Sequence, residues 1–234
     1  MAQKKLERFA AIKTFANVLE YPVDMKGNWC NFFKNKNPLI LELACGRGEY
    51  TVGLSLLFPH QNFIGVDVKG NRMFIGAKKC LAEHLTNAGF LRTQIEKLAD
   101  YFKAGEVDEI WITFPDPQLR ISKAKKRLTH PRFLRLYQQI LKPGGFIHLK
   151  TDSPDLYNFT KKAAELYDII IVEDSDNVYS EAFVKEELKI KTHYESLDIA
   201  QSKKIHYLKF TLPLHIKDID EELQQLIQND EQLD

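Results

Sequence analysis

Between Pro38 and Leu166 short apolar runs alternate with stretches of helical periodicity, and nothing else in the chain limits its fold as strongly. "PLILELA" (Pro38–Ala44), "NFIGVDV" (Asn62–Val68), "FLRTQI" (Phe90–Ile95), "EVDEIWITF" (Glu106–Phe114) and "GFIHLKT" (Gly145–Thr151) have the length and the branched or aromatic content of strands. Helices are predicted between and after them, at about Glu49–Leu57, Asn71–Ala88, Pro131–Leu141 and Pro154–Leu166. "DIIIVE" (Asp168–Glu173) and "KIHYLKFTL" (Lys204–Leu212) supply a sixth and a seventh strand. Strands that alternate with helices of this length imply a mostly parallel sheet covered on both faces. In such α/β sheets ligands bind at the carboxyl ends of the strands, near the point where strand order reverses.

Outside that rhythm the pattern changes. Ala2–Leu19 places Leu6, Phe9, Ala10, Ile12, Phe15 and Ala16 close together on a helical wheel, Pro22 ends the run, and residues 23–37 read as a loop. Ile219, Leu223, Leu226 and Ile227 keep helical spacing in the tail. The expected organisation is an N-terminal helical extension (1–37), the α/β domain (38–215) and an acidic C-terminal tail (216–234).

Net charge is +1, yet its distribution is uneven. From Gln118 to Lys150 there are nine basic residues and no acid, whereas Lys217–Asp234 holds seven acids and one lysine. The three cysteines are far apart and form no metal-ligand spacing, which fits a reducing, cytoplasmic setting and no metal centre. No stretch reaches the roughly 20 apolar residues needed to span a bilayer, and the basic N-terminus lacks the apolar core of a secretory signal.

Two strand ends carry the chemistry. "LELACGRGEY" (Leu41–Tyr50) closes the first strand with Gly46 and Gly48, which let a backbone turn sharply and approach a ligand. Asp67 ends the next strand, where an acid can accept hydrogen bonds from both hydroxyls of a ribose. A dinucleotide fingerprint would need glycine at position 51, which is Thr51, and this argues against a nicotinamide dehydrogenase. Glu42, just before the turn, suits a cofactor carrying positive charge. At the end of the fourth strand "FPDP" (Phe114–Pro117) holds Asp116 between two prolines, facing the same crevice as the glycine turn.

The segments "LELACGRGEY", "FIGVDVKGNR", "FPDPQLRISKAKKRL", "GGFIHLKTDSPDLYNF" and "IKTHYE" stand in the order of the tRNA (guanine-N(7)-)-methyltransferase family, which the chain resembles from about Leu39 to Phe210. The resemblance implies a Rossmann-like class I methyltransferase fold with a seven-stranded, mostly parallel sheet. It implies S-adenosyl-L-methionine as methyl donor and tRNA as substrate, with the variable-loop guanine as target. No membrane, no metal and no obligate partner subunit is expected, and the chain would act as a monomer or homodimer in the cytoplasm. By the same resemblance Glu42, Gly46, Gly48, Asp67, Gln94 and Asp116 would bind the cofactor, with Asp116 also catalytic. Arg120, Asp152, Thr192, Tyr194 and Glu195 would contact the substrate. Ala44 replaces the first glycine of the family's turn, and Gln118 replaces the tryptophan that often follows the second proline.

The residues suit that reaction. Guanine N7 carries a lone pair and no proton, so methyl transfer to it needs alignment and a fixed negative charge rather than a general base. Asp116 is the candidate for that charge, and Asp152 and Glu195 are candidate acceptors for the guanine N1–H and amino group. Lys123, Lys125, Lys126 and Arg127 are the candidate phosphate contacts. Two other readings remain: a non-catalytic RNA-binding protein on a methyltransferase scaffold, and a methyltransferase acting on another RNA.

Overall fold

The computed structural model describes residues 2–197 and 204–231. In chain order it contains α1 (Ala2–Ile12), β1 (Val18–Glu20), α2 (Trp29–Phe33), β2 (Leu39–Leu43), α3 (Glu49–Leu57), β3 (Asn62–Asp67), α4 (Gly70–Ala82) and β4 (Ala88–Arg92). There follow α5 (Leu98–Tyr101), β5 (Val107–Thr113), α6 (Pro131–Gln138), β6 (Leu141–Thr151), α7 (Pro154–Leu166), β7 (Ile170–Ser175), α8 (His193–Leu197), β8 (His206–Thr211) and α9 (Asp220–Glu231). The apolar runs form strands because both of their faces are covered. Every residue of β2 and β3 is buried, the pattern of a central parallel strand rather than a half-solvated one.

The described strands form one sheet in the order β1-β4-β3-β2-β5-β6-β8-β7. Pairing is parallel from β1 through β6, and β8 runs antiparallel to both β6 and β7. Order reverses between β2 and β5, so the crevice expected for a ligand opens at their carboxyl ends. On one face Leu41, Leu43, Ile110, Ile112 and Leu149 pack in the main core. On the other Ile40, Phe63, Trp111 and Tyr207 form a second cluster.

The expected fold is present, with eight strands rather than seven among the described residues. The additional strand is β1, taken from the segment that reads as the end of an N-terminal helix. That helix stops at Ile12, where the Thr14 hydroxyl and backbone N–H both donate to the Ala11 carbonyl and turn the chain. β1 then pairs with β4, so residues 18–20 belong to the main sheet rather than to an extension. The expected loop 23–37 contains α2, whose Trp29 stacks on Phe102 and donates its indole N–H to the Tyr101 carbonyl. α4 ends at Ala82, earlier than its periodicity suggests. His84 takes a left-handed φ of 54°, and Asn87 then donates to the carbonyls of Ser55, Phe58 and Gln61, fixing the start of β4.

The acidic tail docks as α9. Ile216, Leu223 and Ile227 are buried in the main core, and Arg135 holds Asp220 at 2.6 and 3.0 Å. Residues 232–234 of the tail lie outside the described residues. Among those that are described, no helix is long and apolar enough to cross a membrane, and no group of three or more His, Cys, Asp or Glu is placed to hold a metal ion.

Candidate functional site

A cleft of about 1130 Å³ opens at the carboxyl ends of β2 to β6. One wall is the turn after β2. Ala44, Gly46 and Gly48 all take left-handed φ values of 56°, 56° and 73°. The two glycines have different reasons to be there. A Cβ on Gly46 would meet only the Ala44 carbonyl oxygen at 3.9 Å, so this backbone is open to the cleft. A Cβ on Gly48 would lie 2.5 Å from the Phe90 ring, so Gly48 serves close packing and starts α3. Gly46 lines the cleft and Gly48 does not.

Asp67, at the end of β3, faces the same space. Its Oδ2 accepts from the Gly46 N–H at 2.9 Å and its Oδ1 from the Lys69 N–H at 2.8 Å. Each oxygen keeps a second acceptor direction for a ligand. Gln94 follows β4 and lines the cleft beside Thr93, whose buried hydroxyl finds no partner among the described residues.

Glu42 is not where the sequence reading puts it. It is 3 % exposed and lies behind the turn, off the cleft wall. Its Oε2 accepts from the Thr51 N–H at 2.7 Å and hydroxyl at 2.5 Å, and its Oε1 from the Thr113 hydroxyl at 3.1 Å. Burial pushes its carboxyl up to about 8, against the opposing hydrogen bonds from Thr51. Glu42 therefore ties β2, the first turn of α3 and the end of β5 together beneath the cleft.

The second wall is the loop after β5. Phe114 donates its N–H to the Lys150 carbonyl at 2.8 Å, continuing the strand pairing by one residue. The chain then turns through Phe114 at φ 47° and Gln118 at φ 50°, two left-handed non-glycine residues on either side of Pro115, Asp116 and Pro117. Asp116 is exposed to the cleft, and its Oδ1 accepts from the Gln118 N–H at 3.0 Å. Arg127 holds this loop from inside. Its guanidinium donates to the carbonyls of Pro117, Gln118 and Leu119 at 3.2 to 3.4 Å and lies 4.5 Å from the Phe159 ring centroid. At 5 % exposure Arg127 is a staple for the loop, which corrects its expected place among the phosphate contacts.

Asp152, Thr192 and Tyr194 come together on the remaining wall. Glu195 does not join them. It turns inward, where Lys150, itself 0 % exposed, donates to its two oxygens at 3.2 and 3.0 Å. Thr192 and Glu195 form a reciprocal capping box at the start of α8, with the Glu195 N–H on the Thr192 hydroxyl at 3.1 Å and the Thr192 N–H on Glu195 Oε2 at 3.4 Å. The T-x-x-E spacing was a legible signal of that cap. A lysine inside the apolar strand "GFIHLKT" was the signal for Lys150, which the sequence reading passed over along with Thr93.

Cations edge the cleft unevenly. Lys126 and Arg132 line it, together with Arg47, Lys69 and Arg72 from the glycine-turn side. Arg120, Lys123 and Lys125 are exposed but outside its lining. Arg135 is paired with Asp220 at 2.6 Å, away from the cleft lining.

A family model described as a putative methyltransferase matches residues 36–208. A tRNA (guanine-N(7)-)-methyltransferase of Bacteroides thetaiotaomicron is 46% identical over 222 residues, covering 91% of this chain and 87% of the relative. Its counterpart from Porphyromonas gingivalis is 48% identical over 213 residues, covering 86% of each. The same name belongs to a Limosilactobacillus reuteri protein that is 34% identical, covering 82% of this chain and 89% of the relative. Among solved structures, a 30S ribosomal A1408 methyltransferase from an uncultured bacterium superposes with a TM-score of 0.59 at 19% identity, covering 82% of this chain and 95% of its own. The 16S rRNA methyltransferase KamB does so with a TM-score of 0.61 at 15% identity, covering 84% and 99%. These two likenesses establish the Rossmann-like methyltransferase fold.

Proposed function

The chain belongs to the tRNA (guanine-N(7)-)-methyltransferase family, and from that premise we propose that it transfers a methyl group from S-adenosyl-L-methionine to N7 of a guanine in the variable loop of tRNA. The observation that supports this most is the sharing of one cleft by acids on three walls, Asp67 beside Gly46, Asp116 after β5 and Asp152 after β6.

The residues fit the methyl donor. Gly46 leaves the space a side chain would fill, Asp67 offers acceptors for ribose hydroxyls, and Thr93, next to Gln94, has a buried hydroxyl with no partner among the described residues. We assign Gly46, Asp67, Thr93 and Gln94 to the donor, with Glu42 and Gly48 supporting the turn from behind. When bound, S-adenosyl-L-methionine supplies a methyl on a positively charged sulfur. Asp116 is held by a loop that does not have to reorganise, so its charge is in place when positive charge arrives on the purine. Asp152 accepts from the guanine Watson–Crick edge, which selects guanine over adenine, and Thr192 and Tyr194 close the pocket around the base. No side chain is asked to remove a proton, because N7 has none to lose.

Lys126 and Arg132 at the mouth, with Arg120, Lys123 and Lys125 beyond it, contact tRNA phosphates and orient the substrate. The catalytic unit is the α/β domain, to which residues 18–20 add β1 and against which α9 packs, and the enzyme works in the cytoplasm without a second kind of subunit.

The test is methyl transfer from labelled S-adenosyl-L-methionine to an unmodified tRNA transcript, with the product nucleoside identified. N7-methylguanosine is expected from the wild type, with a loss on the order of 10²-fold or more in kcat for Asp116→Asn. A different methylated nucleoside would point to another target atom. Donor binding without any transfer would favour the scaffold reading.

A further inference from the structure

The cleft's third wall depends on a group that is buried where no substrate reaches it. Residues 178–197 leave the regular fold, passing through two short 3₁₀ turns (Val178–Ser180 and Glu186–Lys189) before α8 brings Thr192 and Tyr194 to the cleft. Several contacts hold this excursion, among them the Val178 N–H on the Ile205 carbonyl at 2.8 Å and Lys185 on Glu173 at 2.6 to 2.7 Å. Two more bear on the residues just before and within α8. Ile190 packs against α3, where a Cβ on Gly53 would come within 2.8 Å of it. The other contact is made by Lys150, near the end of β6.

Lys150 gathers the excursion around one ammonium. Its Nζ donates to the carbonyls of Leu188 at 2.9 Å and Ile190 at 3.0 Å, to the Tyr179 hydroxyl at 3.2 Å, and to both oxygens of Glu195. The Tyr179 hydroxyl donates in turn to Glu195 Oε1. The rings of Tyr50, Phe114 and Tyr179 lie 5.4 to 5.5 Å from the ammonium and surround it. Through its backbone the same residue accepts the Phe114 N–H that starts the Asp116 loop. One residue thus links the wall bearing Asp116 to the wall bearing Thr192 and Tyr194, and Asp152 follows it by two positions.

We propose that Lys150 is a positioning residue for tRNA methylation, and that Glu195 acts through it by fixing Thr192 and Tyr194 against the cleft rather than by contacting the guanine. This rests on the function proposed above. An ion pair this deep is not a cheap source of stability, because desolvating both charges offsets their attraction. Its value lies in geometry: an ammonium whose three N–H groups are shared among five acceptors, spread over the two 3₁₀ turns and α8 of one excursion, admits few other arrangements. Glu195 has no acceptor to spare in this state, since Lys150, Tyr179 and Thr192 already occupy its oxygens.

The experiment uses the full chain, unmodified tRNA, and the variants Lys150→Met, Glu195→Gln and the two combined. Donor binding is measured by calorimetry, and kcat is expressed per donor-binding site, so a variant that merely yields fewer folded molecules keeps the wild-type value. Each single variant is expected to lose on the order of 10²-fold in kcat/KM for tRNA, as displaced alignment does, with donor affinity at the wild-type level. The double variant is expected to be no worse than the poorer single, because both changes release the same segment. Hydrogen exchange at the Glu195 and Ser196 amides, which the capping turn protects, is expected to speed up in all three variants. Losses that multiply in the double variant would show that Glu195 has a contact of its own and would overturn the proposal. Wild-type turnover by Lys150→Met would overturn it too, as would donor affinity collapsing together with turnover. Absence of N7-methylguanosine from the wild type would instead overturn the proposed function and this inference with it.

Discussion

Glu42 offers a sharp test of how the cleft is built. Its carboxyl is 3 % exposed, and burial raises it from 4.5 to about 8. Because the folded value lies above the unfolded one, the native state binds more protons in this window than the unfolded chain. The contribution is complete below the unfolded value and is lost as pH rises through the folded one. Each pH unit between the two is worth ~1.4 kcal/mol. Ionising Glu42 in place therefore removes about 3 to 4 kcal/mol of stability between roughly pH 5 and pH 8.

Glu42→Gln removes the titration and keeps the shape. The amide oxygen can accept from Thr51 as the carboxyl oxygen does, and the Thr113 hydroxyl can rotate to accept from the amide nitrogen. Urea unfolding of both proteins across this range isolates the effect, since the other titrations largely cancel in the difference. The variant is expected to gain on the wild type steadily as pH rises. A difference between the two that stays constant with pH would refute the reasoning, and would mean that Glu42 is ionised in the native state at little cost. Donor affinity in the same variant is expected to change less than in Asp67→Asn, because Asp67 and not Glu42 faces the cleft.

Other perturbations probe separate parts of the structure. Asp116→Asn is expected to lower kcat with little change in donor affinity, which single-turnover transfer and calorimetry would separate. Ala44→Gly relieves a left-handed non-glycine residue at φ 56° and is expected to stabilise the chain by about 1 kcal/mol or less, after the added freedom of glycine in the unfolded chain is subtracted; urea midpoints would measure it. Replacing Lys123, Lys125 and Lys126 together by Gln is expected to flatten the salt dependence of tRNA binding by about 2 to 3 in log–log slope, the sum for three phosphate contacts. Arg127→Met is expected to leave that slope unchanged while lowering kcat, because the Arg127 guanidinium is committed to the loop carbonyls; the two binding isotherms and rates would distinguish these roles.

What the sequence disclosed follows the range of the forces involved. β2 and β3 are legible because continuous burial leaves a mostly apolar run, and β5 and β6 because their carboxyl-terminal halves are buried. Gly46 and Asp67 are legible because a turn and an acid at consecutive strand ends have a local chemical meaning. β1 is not, since its three residues continue an amphipathic pattern and become a strand only by pairing with β4. The true settings of Glu42, Arg127 and Glu195 depend on partners brought close by folding. Glu42 finds Thr113 from 71 positions away, and Glu195 finds Lys150 from 45. A charge counted along the chain cannot report whether its side chain will meet solvent or a carbonyl, so the basic run from Lys123 to Arg127 looked uniform. In the fold its three lysines stay exposed and its arginine turns inward.

That inward turn bears on why Asp116 sits in so constrained a loop. Phe114 and Gln118 are both left-handed, a conformation that costs about 1 kcal/mol or more for each non-glycine residue. Pro115 and Pro117 restrict the chain between them. A loop under such tension would relax if nothing held it, and the structure supplies two restraints: the Lys150 carbonyl at its start and the Arg127 guanidinium at its end. A carboxylate used for electrostatic stabilisation is effective only if it need not reorient as charge develops. In the proposed reaction, backbone strain at Phe114 and Gln118, opposed by Arg127 and Lys150, would be the physical form of that preorganisation. The replacement of the family's frequent tryptophan by Gln118 is compatible with it, because position 118 contributes its backbone, an N–H to Asp116 and a carbonyl to Arg127, and neither depends on the side chain.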